Sequence, residues 1–364
     1  MKIKVNKALI RDAVKVAASA ADKRGNVPIL SNVLLEAEDN LLRLVATNLE
    51  IGISTVVDCS VEECGKTTVN AGKAAKLFSS ITGEEVSLSA GDSKLVVETA
   101  NSRFSLATLP PEEFPEVELP QTFPVTLPSQ EIDRAIRKVA YAASRDEARY
   151  ILTGVLFRSV NGALHAVATD GHRLALYEIS AAAQGVNSII PKKSLSELKK
   201  LLRESEEVGI VETGNKLYFN TGDTVMWTSL IEGEYPDYTA VIPEGNSKVL
   251  TADREELLSA LKEVAVIFDK EEVRGAVFTL SDGKLTITAR KIEGDAAEEA
   301  EVTIPVDYSG GEFQIGFNIV HLIESVGSFD GETLKIAMEE PVTPVLITSP
   351  EEPQLTNVIM PMKV

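Results

Sequence analysis

Cysteine is nearly absent, with Cys59 and Cys64 the only two among 364 residues. Two thiols cannot staple so long a chain, so both are read as reduced strand or turn residues. No apolar run approaches the roughly 18 to 20 residues of a membrane helix. The opening MKIKVNKALIRD is broken by charges within any candidate signal core, which leads to the expectation of a cytoplasmic chain without a membrane partner. Positive charge is also short: 36 Lys and Arg face 55 Asp and Glu, a net of −19. Such a balance repels polyanions and should suppress loose binding to nucleic acid.

Catalytic fingerprints are missing as well. GKT at residues 65–67 lacks the upstream glycine of a phosphate loop, and neither GxSxG nor a glycine-rich dinucleotide motif occurs. Asp170 and His172, with His165 upstream, are the one cluster that invites an acid/base or metal-ligand reading. They flank Gly171 in a strand-to-turn segment with no third ligand pattern, which points to a structural role. No catalytic residue, metal or cofactor is expected.

What is present is a pattern written three times, at a period of roughly 120 residues. Each copy opens with a helical segment, at residues 6–20, 129–143 and 251–266. A two-strand segment with similar endings follows: LRLVATNLE (42–50), LHAVATDGH (164–172) and LTITARKIE (285–293). A second short helix comes later, at 71–79, 191–202 and 317–326. FSLATLPPEEFPEV (104–117) and WTSLIEGEYPDY (227–238) close the first two copies alike. Pro-rich joins at 119–128 and 242–248 deny the backbone a continuing helix or central strand, giving three domains at 1–120, 121–245 and 246–364. Alternating strand patterns, short helices and hairpin signals (NG at 161, DG at 282) predict an α+β fold with antiparallel sheets.

The charge is unevenly spread. In the first helix Lys7, Arg11 and Lys15 recur on one face, with Leu9, Ala13, Val16, Ala17 and Ala20 as the expected apolar face. Its second-copy counterpart carries Arg134, Arg137, Lys138 and Arg145 opposite Ile132, Ala135, Ile136, Val139 and Ala143. The 191–202 helix adds Lys192, Lys193, Lys199 and Lys200, with Arg203 beyond. Acids gather instead on strands and turns such as PEEFPEVE and EGDAAEEAE. The third copy weakens the pattern, since Arg254 and Lys262 sit among Glu255, Glu256 and Glu263.

TVNAGK (68–73), RFSLATLP (103–110), VATDGHRLAL (167–176), EYPDY (234–238), QIGFN (314–318) and the terminal VIMPMKV resemble the bacterial sliding clamp, the beta subunit of DNA polymerase III. The likeness runs the whole length in register. It implies a head-to-tail homodimer whose six similar domains ring duplex DNA, with sheets outside and helices lining the hole, and a processivity factor without catalysis of its own. The basic helical faces, Lys73 and family-matched Arg24, Arg149 and Tyr150 would then meet phosphates without regard to sequence. Asp146 and Ile151 stand where a well-known relative has glutamine and tyrosine.

The resemblance further implies a pocket for short peptides of polymerases, repair proteins and the clamp loader. Its members here would be Leu152, Thr169, Gly171, His172, Arg173, Leu174, Pro236, Val241, Val342, Pro344, Val358, Met360, Pro361 and Met362. Ala240 replaces an arginine and His321 a tyrosine of some relatives. The subunit contact would join Arg103, Phe104 and Leu106 to Ile267, Phe268, Glu298, Glu299 and Glu301. The rival class is an enzyme built on Asp170 and His172 with His165, and a further alternative is a repeat scaffold that binds only proteins.

Overall fold

The structure, a computed structural model, describes residues 1–22, 25, 27–91, 93–181, 184–269, 275–293 and 296–363. Three successions with the same order of strands and α-helices follow one another along the chain. The first is β1 (Lys2–Asn6), α1 (Lys7–Ala17), β2 (Asn32–Glu38), β3 (Leu41–Thr47), β4 (Ile51–Glu63), β5 (Gly65–Asn70), α2 (Ala71–Ser80), β6 (Glu85–Gly91), β7 (Lys94–Glu98) and β8 (Arg103–Ala107). The second is β9 (Val125–Pro128), α3 (Ser129–Val139), β10 (Gly154–Val160), β11 (Ala163–Thr169), β12 (Arg173–Ile179), β13 (Asn187–Pro191), α4 (Lys192–Leu202), β14 (Glu207–Thr213), β15 (Lys216–Asn220) and β16 (Thr224–Ser229). The third is β17 (Lys248–Asp253), α5 (Arg254–Val264), β18 (Gly275–Ser281), β19 (Lys284–Glu293), β20 (Ala296–Pro305), β21 (Phe313–Asn318), α6 (Ile319–Val326), β22 (Thr333–Met338), β23 (Val345–Thr348) and β24 (Leu355–Ile359).

Helix starts are set by the strands before them. The last residues of β1, β5, β17 and β21 are Asn6, Asn70, Asp253 and Asn318, and each side chain accepts a backbone N–H of the helix that follows. Such caps satisfy donors that a helix leaves unpaired at its first turn. The hairpin signals also act as expected. Asn161 and Gly162 (φ 51° and 86°) turn β10 into β11, and Gly283 (φ 69°) turns β18 into β19. Asp39 and Asn40, at φ 51° and 60°, make the equivalent first-copy turn. In the β2–β3 and β10–β11 turns both central residues take positive φ, which Asn, Asp and Gly tolerate best, whereas in the β18–β19 turn only Gly283 does.

By contact the chain forms two compact units, Met1–Gln130 with Lys193–Leu230 and Glu131–Lys192 with Ile231–Val364. In the first, a 12-stranded antiparallel sheet runs β8-β7-β6-β1-β4-β16-β15-β14-β9, with β3, β2 and β5 continuing from β4. In the second, an eight-stranded sheet runs β13-β10-β11-β12-β24-β23-β22-β17, beside a four-stranded sheet β20-β19-β18-β21. Sheets thus continue across repeats: β16 pairs with β4, and β24 with β12.

The first repeat buries one contiguous core in which Ile3 and Val5 of β1, Ile10, Ala13, Val14 and Ala17 of α1, and Phe78 of α2 pack together. Here the helical face differs from expectation. Leu9 is exposed and Val16 half-buried, while Ile10 and Val14 lie inward. Both faces satisfy helical spacing, but only one places two β-branched side chains with Ala13 and Ala17 against the sheet. The α3 face matches expectation, with Ile132, Ala135, Ile136 and Val139 all buried.

Candidate nucleic-acid and peptide-binding surfaces

Basic residues concentrate on particular helices. From their sequences α1, α2 and α4 carry net charges of +2, +2 and +3, α3 carries +1, and α5 and α6 each carry −1. Lys15, Lys73, Arg137, Lys193 and Lys200 are exposed, while Lys7, Arg11, Arg134, Lys192 and Lys199 are half-buried. Several are partly neutralised locally: Arg11 by Asp12 (2.7 Å), Arg137 by Asp133 (3.0 Å) and Lys200 by Glu197 (2.7 Å). Burial holds the Lys192 ammonium below its ordinary pKa. Arg24 lies outside the described residues.

Lys138 does not join the exposed stripe. It is 2% exposed, with Nζ 2.7 Å from Glu352 and 2.9 Å from Asp330. Hydrogen bonding to Lys138 holds the Asp330 carboxyl below its usual range. A charge taken from water in this way is held by its partners and unavailable to phosphates.

The VATDGHRL segment is a self-wired turn. Asp170 accepts the backbone N–H groups of His172 (2.9 Å) and Arg173 (3.1 Å), and its other oxygen accepts Arg173 Nε at 3.1 Å. Gly171 takes φ 86°, where only glycine is at ease, and the Thr169 hydroxyl donates to Arg173 O at 2.6 Å. Asp170 is therefore committed to the backbone. His165 is likewise engaged, its Nδ1 2.8 Å from the Tyr238 hydroxyl. Among the described residues no group of three or more His, Cys, Asp or Glu is placed to hold a metal.

This turn delivers Leu174 to the start of β12, where it pairs with Val358 of β24. Leu174 and Val358 share an apolar cluster with Leu156, Val167, Ile189, Tyr235 and Tyr238, and Leu152, Ile231, Ile242 and Leu346 pack against it. Val241, next in chain to Ile242 of this cluster, is 44% exposed, and Met360 and Val342 are 37% and 59% exposed. Pro236 and His172 are also exposed, and Pro344, Pro361 and Met362 half-buried. The terminal segment is tied down by Met360 N–H to His172 O and Met362 N–H to Gly316 O, both 2.8 Å.

Arg173 points away from this cluster. Its guanidinium pairs with Asp170 and Glu324, donates to Tyr141 O and lies 5.2 Å from the Tyr141 ring centre. Burial pushes the Tyr141 phenol up to about 12. Beside it Arg145, Arg149, His172, His321 and Glu324 line a cavity of about 550 Å³ together with Ala143 and Val320. Arg149 donates to Asp170 O at 2.8 Å, joining the 145–150 segment to the turn, while Tyr150 is exposed. Tyr235, Tyr238 and Tyr141 were not singled out from sequence. EYPDY carried the signal for two of them, since a buried tyrosine needs a hydroxyl partner and Tyr235 finds Thr169 N–H at 3.1 Å.

Among the sheet-terminal strands, β8 and β20 carry the residues expected at a subunit contact. β8 pairs only with β7 and β20 only with β19. Arg103 and Phe104 of β8 are exposed, and Leu106 is half-buried. On β20 Glu298, Glu299 and Glu301 are exposed, with Glu299 3.0 Å from Arg290. Ile267 and Phe268, half-buried, follow α5 near β19 and β20.

Comparison with known proteins gives these surfaces a family. The models of the N-terminal, central and C-terminal domains of the DNA polymerase III beta subunit match residues 1–118, 126–237 and 239–363. The beta sliding clamp of Caulobacter vibrioides is 34% identical, with the whole of both chains covered. The solved Caulobacter crescentus pol III beta superposes with a TM-score of 0.93 at 33% identity, covering both chains fully. The Pseudomonas aeruginosa sliding clamp bound to griselimycin gives 0.92 at 31% identity, again over both whole chains. Matched by all three domain models in order, the chain belongs to the beta sliding clamps, the non-catalytic processivity subunits of DNA polymerase III.

Proposed function

We propose that two copies of this chain close head to tail into a ring around duplex DNA and tether polymerases to it. The observation that carries this reading is the repeat rule for strand pairing. β4 and β12 each accept a strand from the following repeat, β16 and β24 respectively. β20 is their third-repeat counterpart and has no such partner among the described strands, while β8 is the counterpart of β16 and β24. Placing β8 of a second copy on β20 completes the series and removes two open edges that would otherwise invite aggregation. The contact is heterologous, so it closes only if its rotation fits a six-domain ring. Arg103 facing Glu298 and Glu301 supplies orientation, and Phe104 with Ile267 and Phe268 the apolar packing.

The three domains are assigned to 1–120, 121–245 and 246–364. Lys7, Arg11, Lys15, Lys73, Arg134, Arg137, Lys193, Lys199 and Lys200 are assigned to sequence-blind phosphate contacts, joined by Arg145, Arg149 and Tyr150. Such contacts carry no base information and so permit sliding. The surface around Leu152, Leu174, Val358 and Met360 is assigned to aliphatic and aromatic side chains of partner peptides, the clamp loader's included; each fully buried side chain is worth about 1.5 to 3 kcal/mol. The work is done in the cytoplasm, on the chromosome. The test is mass against dilution for wild type and for Arg103→Glu with Phe104→Ala. Wild type should run at twice the chain mass of 39.2 kDa and the variant at once that mass. A wild-type monomer at micromolar concentration, or an unaffected variant dimer, would sink the ring.

A further inference from the structure

Side chains alternate between the two faces of a strand, so the pairing of β12 with β24 puts Leu174 and Val358 on one face and Arg173 and Asn357 on the other. The first face carries the apolar cluster. From the second face, residues 324–328 at the end of α6 hold both strands. Arg173 donates to Glu324, and the Asn357 amide donates to Ser325 O at 3.2 Å and to Ser328 Oγ at 2.9 Å. Both strand residues are buried, Asn357 completely.

The same contacts span the cavity beside Arg173. Val320, His321 and Glu324 line it from α6, and Asp170, His172 and Arg173 line it from the turn, so the Arg173 to Glu324 pair ties one wall to the other. The turn also holds the terminal segment, since His172 O accepts the Met360 N–H. Without Glu324, Arg173 would keep Asp170 and Tyr141 O, both of its own repeat, and lose this tie to the third.

We propose that Glu324 and Asn357 are positioning residues of the peptide site, acting through Arg173 and β24 to set the Leu174 and Val358 side chains that a partner meets. The proposal rests on reading the Leu174 cluster as that site. Its consequence is that α6, behind the sheet, governs affinity on the opposite face.

The test is fluorescence anisotropy of a labelled pentapeptide carrying two leucines and one phenylalanine, titrated with the full-length chain well below its unfolding transition. Glu324→Ala and Asn357→Leu should each weaken binding by about 2- to 30-fold, the span of couplings carried by residues outside a binding site. Glu324→Gln keeps an acceptor for Arg173 and should lose less. Asn357→Ser gives the same reading should the leucine variant not fold. Phe278→Leu, in the core of the four-stranded sheet, lowers stability without touching this link and should bind as wild type does, because affinity falls only with the fraction of competent chain. Wild-type affinity in Glu324→Ala and in a folded Asn357 variant would overturn the proposal. Leu174→Ala separates the two readings: if it also binds as wild type does, the peptide site itself is misplaced, whereas weakening by Leu174→Ala alone overturns only the positioning roles.

Discussion

Lys138 and Glu352 show how much one residue's role depends on what folds over it. Both are buried, and Glu352 also accepts the backbone N–H groups of Asp330 and Gly331. Glu352→Ala leaves the Lys138 ammonium with only the exposed Asp330 and should cost about 3 kcal/mol in urea unfolding. Lys138→Met combined with Glu352→Gln removes both charges and should cost far less. His321 offers a test by pH. Burial first, then Arg173, lowers its pKa from the ordinary 6.5, and its ring centre is 6.3 Å from that of His172. As pH falls below that value the unfolded chain takes up the proton first, so this site costs stability on acidification and nothing above it. A proton NMR titration should place the His321 midpoint below that of a free histidine; a higher midpoint would contradict the buried environment.

Among elements, helices and hairpins were the most legible parts of the sequence. Helix positions followed from apolar spacing, and Asn and Asp at strand ends stopped the strands by capping the helices. Which face of α1 turns inward was not legible, because residues 9, 13, 16 and residues 10, 13, 14 fit the same period. The element-level claim most open to test is that the first two repeats join as the last two do, with Gly52 facing Trp227 across β4 and β16 as Leu174 faces Val358 across β12 and β24. Gly52→Leu should destabilise the fold by about 1 to 3 kcal/mol through overpacking against the indole. Adding Trp227→Val, which copies the Leu174 and Val358 pair, should recover at least about 1 kcal/mol of it as a coupling energy in a double-mutant cycle. Additive losses would argue that the junctions are not interchangeable.

At the scale of the whole molecule the central tension is an acidic protein that works on DNA. A net charge of −19 disfavours approach of a polyanion, yet α1, α2 and α4 are locally positive. With a screening length of about 8 Å at physiological salt, phosphates respond to the helix face beside them and little to distant acids. Lys15→Ala and Lys193→Ala should each flatten the salt dependence of duplex binding, by up to about 0.9 in the log-log slope for every phosphate that is no longer neutralised. Lys262→Ala on the acidic α5 should leave it unchanged. Equal effects at all three positions would mean that net charge, not placement, governs binding to DNA.

The threefold order of elements, the antiparallel α+β class and the segregation of basic residues onto helices were already fixed by local pattern, because capping, periodicity and turn chemistry act over a few residues. Burial of Lys138 by Glu352, the turning inward of Arg173, the filling of the Gly52 site by Trp227 and the opening of the β8 and β20 edges were decided only by the tertiary structure. Each depends on residues or strands far apart in the chain, and no local period records which of them will meet.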